Sequence, residues 1–107
     1  MAIVTFYNGD PKDAPKTTMP AHLGANAIIT CKDRLLLEKR SDSDVWGLIG
    51  GGCKKWETGR QAIAREVYEE LGLRIAPERF RKLAVYDNPG RIAAFRDGSI
   101  WRMVIVV

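Results

Sequence analysis

The stretch from Gly51 to Leu73 constrains this chain more than any other. Thr58-Gly59-Arg60-Gln61 has the S/T-x-x-E/Q spacing of a capping box, and Gly72 follows Leu71 where an αL glycine closes a helix. The spacing predicts a helix from about Arg60 to Leu71. On it Ile63, Val67 and Leu71 form an apolar stripe, and Glu66, Glu69 and Glu70 fall in one arc beside that stripe. Helix stability alone argues against such a placement. Like charges at i,i+3 and i,i+4 repel by roughly 0.2–0.5 kcal/mol per pair, and acidic residues near a helix C-terminus oppose the macrodipole by roughly 0.3–1 kcal/mol each. A conflict with local rules marks a functional site, and clustered carboxylate oxygens suit a hard cation such as Mg²⁺ or Mn²⁺. For E-x-x-E-E in isolation, a solvated acidic face is the favoured reading.

The flanking residues decide between them. Gly51 is followed after five residues by Glu57, and after seven more by Arg65-Glu66-Val67-Tyr68-Glu69-Glu70-Leu71-Gly72-Leu73. This is the complete pattern G-x5-E-x7-R-E-U-x-E-E-x-G-U, with U aliphatic. At about 5–7% usage per residue type, a chance match at a given start is on the order of 10⁻¹⁰. The chain therefore resembles the Nudix hydrolases, whose box this is.

The resemblance implies one domain over residues 1–107 with an α+β fold, an α/β/α sandwich holding a mixed β-sheet and a catalytic loop-helix-loop. It implies Glu66, Glu69 and Glu70 as metal ligands, joined by the backbone carbonyl at Gly50. It also implies an ion pair of Glu57 with Arg65 that braces loop against helix, a task suited to the bidentate Arg fork. Glu66 is in addition the position from which some members draw the base, while others take it from a later loop. The chain departs from the family at Ile49, where many members have Pro, and at Cys53-Lys54-Lys55-Trp56, which replaces the usual acidic and small turn residues. Lys54 and Lys55 there add positive charge, and Trp56 either stacks on a base or packs on the helix start.

Composition sets wider bounds. A chain of 107 residues with 46% apolar content supports one small core. The net charge of +4 favours anionic partners without separating nucleotides from nucleic acid, since the basic residues are spread out. Cys31 and Cys53 form neither a C-x-x-C pair nor a disulfide framework, which points to a reduced, cytoplasmic setting. Neither a signal-like N-terminus nor an apolar run of roughly 20 residues is present, so no membrane partner is expected.

Along the chain, Ile3 to Tyr7 predicts a strand and Asn8-Gly9-Asp10-Pro11 a turn, followed by a connector to Pro20. His22, the only histidine, is expected in a structural or surface role. Leu23 to Thr30 and Arg34 to Lys39 predict antiparallel strands around a Lys32-Asp33 turn, leading through Arg40 into the polar loop Ser41 to Asp44. Arg40 is a candidate for a substrate phosphate, or simply an exposed strand end. Gly50-Gly51-Gly52 reads as a loop free to adopt positive φ and to admit a ligand close to the backbone. After the helix, strands are expected at Phe80 to Tyr86, Ile92 to Phe95 and Ser99 to Val107, the last buried, with turns at Asp87 to Gly90 and Arg96 to Gly98.

The activity implied by the resemblance is Mg²⁺- or Mn²⁺-dependent hydrolysis of a nucleoside diphosphate linked to another moiety. ADP-ribose, a nucleoside triphosphate, a dinucleoside polyphosphate and a nucleotide sugar all qualify. A catalytically silent module binding a nucleotide or RNA is the alternative, and the full set of carboxylates argues against it. General nucleic-acid binding ranks last, lacking an aromatic RNA-binding signature or a helix-turn-helix. A homodimer is frequent in the family. Family members usually continue past the strand at Ser99 to Val107 through a further strand and a helix, so the expectation is a C-terminally truncated domain, weakly active or completed by another chain.

Overall fold

A computed structural model describes residues 3–41 and 44–107, and for residues 3 and 4 the backbone alone. Asp42 and Ser43 of the expected polar loop lie outside the described residues. In chain order the strands are β1 (Ile3–Asn8), β2 (His22–Ala27), β3 (Thr30–Cys31), β4 (Arg34–Leu35), β5 (Glu38–Lys39), β6 (Trp46–Gly47), β7 (Ile49–Gly52), β8 (Val85–Tyr86), β9 (Arg91–Phe95) and β10 (Ile100–Val106). A single α-helix among the described residues, α1 (Gly59–Leu71), accompanies them, so the class is α+β as expected. That helix is too short and too polar to cross a membrane.

Contacts divide the chain into two compact units. The first joins the residues up to Leu23 with Val85–Ile105. Here β1 pairs antiparallel with β9, Phe6 opposite Ala93 and Tyr7 opposite Ile92, and β9 pairs antiparallel with β10, Trp101 opposite Ala93. Ala93, Phe95 and Met103 form its buried cluster, with Trp101 packed against them. His22 lies against the Phe95 and Trp101 rings, at centroid distances of 6.2 and 5.8 Å, and its burial lowers its pKa. That is the structural role its isolation in the sequence suggests. The Arg96 to Gly98 turn forms, closed by a bond from the Ser99 amide to Asp97 Oδ1.

The second unit spans Gly24–Ala84 with Val106–Val107. Its β2 and β7 pair antiparallel, with Asn26 opposite Gly50 and Ala25 opposite Gly51. Ile63 and Val67 on α1 pack onto Ala25, Ala27 and Ile49, with Ala62 completing the cluster. Burial of the Ile63 and Val67 side chains contributes roughly 1.5–3 kcal/mol each. Leu71, the third residue of the stripe, packs at the edge.

Several expected elements come out shorter. The hairpin around Lys32-Asp33 closes only Thr30 and Cys31 onto Leu35 and Arg34, with Lys32 in the left-handed region at φ 58°. Ile28 and Ile29 are outside any strand, and the Arg34 to Lys39 run splits because Glu38 and Lys39 pair instead with Gly47 and Trp46. Phe80 to Tyr86 becomes a strand only at its last two residues. Leu83 and Ala84 instead hold the end of the chain through amide bonds to the Val107 carbonyl oxygen. The last strand is half-buried along most of its length, and only Met103 in it is fully enclosed.

The glycine run requires a correction. Gly50, Gly51 and Gly52 are strand residues of β7, and among the described residues positive φ belongs to Gly72 and Gly98 alone of the glycines. The reason for glycine is close approach by the protein's own groups. A Cβ on Gly50 would lie 2.3 Å from the Ala25 carbonyl oxygen, and one on Gly51 would lie 2.3 Å from Glu66 Oε1.

Candidate active site

The helix carrying the carboxylates is built as its sequence predicts. Thr58 accepts from the Gln61 amide at 3.1 Å while Gln61 Oε1 accepts from the Thr58 amide at 2.9 Å, so both halves of the capping box are made. Each Ser/Thr cap of this kind contributes about 1 kcal/mol. At the other end Gly72 adopts φ 72° and donates its amide to the Tyr68 carbonyl. These caps set the phase of α1, and the Ile63–Val67 contact with the strands fixes which way its acidic flank faces.

Arg65 ties that flank to the loop before the helix. Its Nε donates to Glu57 Oε2 at 2.8 Å and its Nη2 to Glu57 Oε1 at 2.9 Å, a two-pronged pair. Nη2 also reaches the Gly52 carbonyl oxygen at 3.0 Å, and Nη1 reaches Glu66 Oε1 at 3.0 Å. Glu57 in turn accepts from the Lys54 amide at 2.8 Å and bonds its own amide to the Lys54 carbonyl oxygen at 3.0 Å. Strand β7, the Cys53 to Trp56 turn and the helix are thereby fastened through one guanidinium. The fork holds the Glu57 carboxyl down to about 2, chiefly through the Arg65 hydrogen bonds and then the Lys54 amide, and raises the Arg65 pKa further. Glu57 thus stays ionised as an acceptor.

The three helix carboxylates have different surroundings. Glu66 is confined between Gly51 and Arg65, its side chain only 14% exposed. Glu69 is 53% exposed and leans back on Arg65 at 3.4 Å. Glu70 sits one turn beyond Glu66, near enough to Glu38 of β5 for that carboxylate to act on its titration. Partial burial, then the Glu38 hydrogen bond and the charges of Glu38 and Glu66, push the Glu70 carboxyl up to about 7, against the opposing pull of Arg40. Glu70 therefore neighbours Glu38 and feels the charge of Glu66, and Glu69 is turned to the outer edge. Arg40 is exposed, donates its amide to the Val45 carbonyl oxygen at 2.9 Å, and adds its charge to the Glu70 surroundings. Gly50 faces Asn26 across the β2–β7 ladder. Trp56 is 79% exposed, with the Lys54 ammonium 5.8 Å from its ring centroid, so it does not pack on the helix start.

Glu38 is the residue that sequence reasoning missed. A signal for it existed: along an extended segment residues two apart share a face, so Glu38 points the same way as Arg40. The short β5–β6 ribbon is what carries it to Glu70.

The donor chemistry fits a hard divalent cation. Glu66, Glu70 and Glu38 offer carboxylate oxygens, the ligand type of Mg²⁺ and Mn²⁺, and a bound dication would offset both the burial that chiefly raises the Glu70 pKa and the neighbouring charges of Glu38 and Glu66 that add to it. The groups stand as pairs, Glu66 with Arg65 and Glu70 with Glu38; among the described residues no three His, Cys, Asp or Glu side chains are gathered into a group that could hold a cation.

Comparison with known proteins gives the family of the chain. A MutT-like protein of Streptomyces ambofaciens is 32% identical over 86 residues, 80% of this chain and 54% of the relative. An RNA pyrophosphohydrolase of Psychromonas ingrahamii is 42% identical over 59 residues, 53% of this chain and 32% of the relative. A putative 8-oxo-dGTP diphosphatase of Bacillus subtilis is 34% identical over 62 residues, 58% of this chain and 40% of the relative. The chain thus spans about half the length, or less, of these curated relatives. The crystal structure of a MutT/nudix family protein from Enterococcus faecalis matches with a TM-score of 0.63 over 88% of this chain and 37% of that one, at 22% identity, which is a likeness of fold. The model of the NUDIX domain matches residues 20–107, from the connector ahead of β2 through the acidic helix to the last strand, and the chain belongs to that family.

Proposed function

We propose that this chain is a divalent-metal-dependent hydrolase that cleaves a phosphoanhydride bond in a nucleoside diphosphate linked to another moiety. The observation that carries the reading is the joining of Glu57, Arg65 and Glu66 into one braced unit beside the crowded Glu70–Glu38 pair. A structural helix gains nothing from such crowding, whereas a cation-dependent site needs anionic oxygens held against their own repulsion.

In this reading Glu66 and Glu70 hold Mg²⁺ or Mn²⁺, with Glu69 and the Gly50 carbonyl completing the set and Glu38 as a further donor. A cation bound there would neutralise diphosphate oxygens and lower the pKa of a water. The remaining work falls to the chain. Arg65 keeps the Glu66 carboxylate in one orientation and Glu57 keeps Arg65 in place, so both are positioning residues. Arg40, beside Glu70, supplies positive charge for a phosphate on the substrate side. Confining Glu66 between Gly51 and Arg65 limits its freedom before substrate arrives, which lowers the reorganisation needed at reaction.

The names of the relatives, an RNA pyrophosphohydrolase and an 8-oxo-dGTP diphosphatase among them, support a nucleoside polyphosphate as the substrate class. The test is a panel of nucleoside triphosphates, 8-oxo-dGTP, 5′-triphosphorylated RNA, ADP-ribose, nucleotide sugars and dinucleoside polyphosphates, with Mg²⁺, Mn²⁺ or EDTA. Metal-dependent release of phosphate, pyrophosphate or a nucleoside monophosphate from at least one is expected. Binding without release across the panel would replace the hydrolase with a nucleotide-recognition module.

A further inference from the structure

A cavity of about 690 Å³ lies within the unit of Gly24–Ala84 and Val106–Val107, at the N-terminal end of α1. That volume falls in the range of roughly 300–1,000 Å³ typical of small-molecule sites. None of Glu38, Glu57, Glu66, Glu69 or Glu70 lines it. Its inner wall is apolar, formed by Ala27, Ile29, Ile63, Ile75 and Phe80.

The charged side chains that line it are of one sign. Arg60, Arg79, Arg81 and Lys82 contribute to it, and no acidic side chain among the described residues does. Arg60 is spent partly on structure, since its Nε donates to the Phe80 carbonyl oxygen at 2.8 Å and holds that wall to the helix. Arg79, Arg81 and Lys82 are exposed. Thr58 and Gly59 also line the space, so the positive end of the α1 dipole opens onto it. The capping box engages the amides of Thr58 and Gln61 and leaves those of Gly59 and Arg60 as first-turn donors.

We infer that this cavity binds an amphipathic phosphate-bearing small molecule, its apolar body against Ile29, Ile63 and Phe80 and its phosphate at Arg81, Lys82 and the first turn of α1. Cations alone would attract any anion, and an apolar hollow alone any greasy body. Their coincidence selects a molecule that carries both. The body is either a nucleoside or an aliphatic chain, and the two are separable by experiment.

The 107-residue chain is titrated in EDTA, where no metal-dependent turnover occurs, with adenosine monophosphate, octyl phosphate and inorganic phosphate, following backbone amide NMR shifts. The expected result is saturable binding of one organic phosphate, with shifts at Ile29, Gly59, Arg60 and Leu83 and none at Glu66 or Glu70. Inorganic phosphate should bind at least about tenfold more weakly, and the double variant Arg81→Glu, Lys82→Glu should weaken the organic phosphate by about tenfold or more. A preference for adenosine monophosphate identifies a nucleoside body, and one for octyl phosphate an aliphatic body. Four results overturn the inference: no saturable shift with either organic phosphate, inorganic phosphate binding equally well, unchanged affinity in the double variant, or the same residues shifting with protein concentration alone. Because the assay requires no hydrolysis, its failure leaves the proposed activity standing, and loss of that activity leaves this site standing.

Discussion

Gly50 and Gly51 are neighbours on one strand, yet alanine at the two positions should fail in different ways. A Cβ on Gly51 would stand 2.3 Å from Glu66 Oε1 and 2.6 Å from its carboxyl carbon, where ordinary contact begins near 3.4 Å. The carboxylate must therefore retreat by about 1 Å, the difference between those distances. It is the far end of a flexible side chain, so the retreat costs little in folding but breaks the arrangement with Arg65 Nη1. A misplacement of about 1 Å in a positioned group costs on the order of 10²-fold in rate. Gly50→Ala is the opposite case. Its Cβ would meet the Ala25 carbonyl oxygen at 2.3 Å and the Asn26 α-carbon at 2.9 Å, both backbone, so β2 and β7 must separate. Overpacking of that kind destabilises by about 1–3 kcal/mol. Urea unfolding and turnover, measured on both variants, separate the two effects. Gly51→Ala should fold with a near-native midpoint and turn over about a hundredfold more slowly, and Gly50→Ala should lose stability first. Full activity in Gly51→Ala, or equal loss of stability in both, would refute the placement of Glu66 against Gly51.

Other consequences follow from the same geometry. Glu70→Gln should abolish metal-dependent turnover while leaving the apo fold as stable or more stable, because it removes one charge from the group with Glu38 and Glu66; unchanged turnover would remove Glu70 from the site. Since the Glu70 carboxyl is raised to about 7 from an ordinary value near 4.5, its protonated form favours the folded state below about 4.5 and that contribution is lost as pH rises through about 7. Melting temperature in EDTA should accordingly fall between those pH values and fall less in Glu70→Gln, while metal affinity should weaken as pH drops below about 7; a flat profile in both would contradict the crowding. Arg65→Lys should behave nearly as badly as Arg65→Ala in turnover, because a single ammonium cannot span both Glu57 oxygens and the Gly52 carbonyl; full activity in the lysine variant would make the fork dispensable. Thr58→Ala should cost about 1 kcal/mol in unfolding free energy, read by urea denaturation, through loss of the bond to the Gln61 amide.

What could be read from the residues alone was whatever depends on short-range spacing. The capping box at Thr58 and Gln61, the αL closure at Gly72, the burial of Ile63 and Val67 and the Glu57–Arg65 pair all lie within one helix or one turn of it, where a period of 3.6 and fixed cap geometry leave few alternatives. The turn at Lys32-Asp33 and that at Arg96 to Gly98 were legible for the same reason. Strand extents were not, because a strand exists only where a partner offers its ladder. Ile28, Ile29, Leu36 and Leu37 have strand-like chemistry but stand outside the strands, and Phe80 to Ala84 fall outside β8 although Leu83 and Ala84 bond to Val107. The glycines of β7 were misread as a loop since a sequence shows only that backbone is uncovered, and pairing with β2 decides what approaches it. Glu38 met Glu70, 32 positions further along the chain, only through the β5–β6 ribbon. Local periodicity determined which carboxylates the helix presents; tertiary structure decided which neighbour each one faces, and so set apart the braced Glu66, the exposed Glu69 and the crowded Glu70.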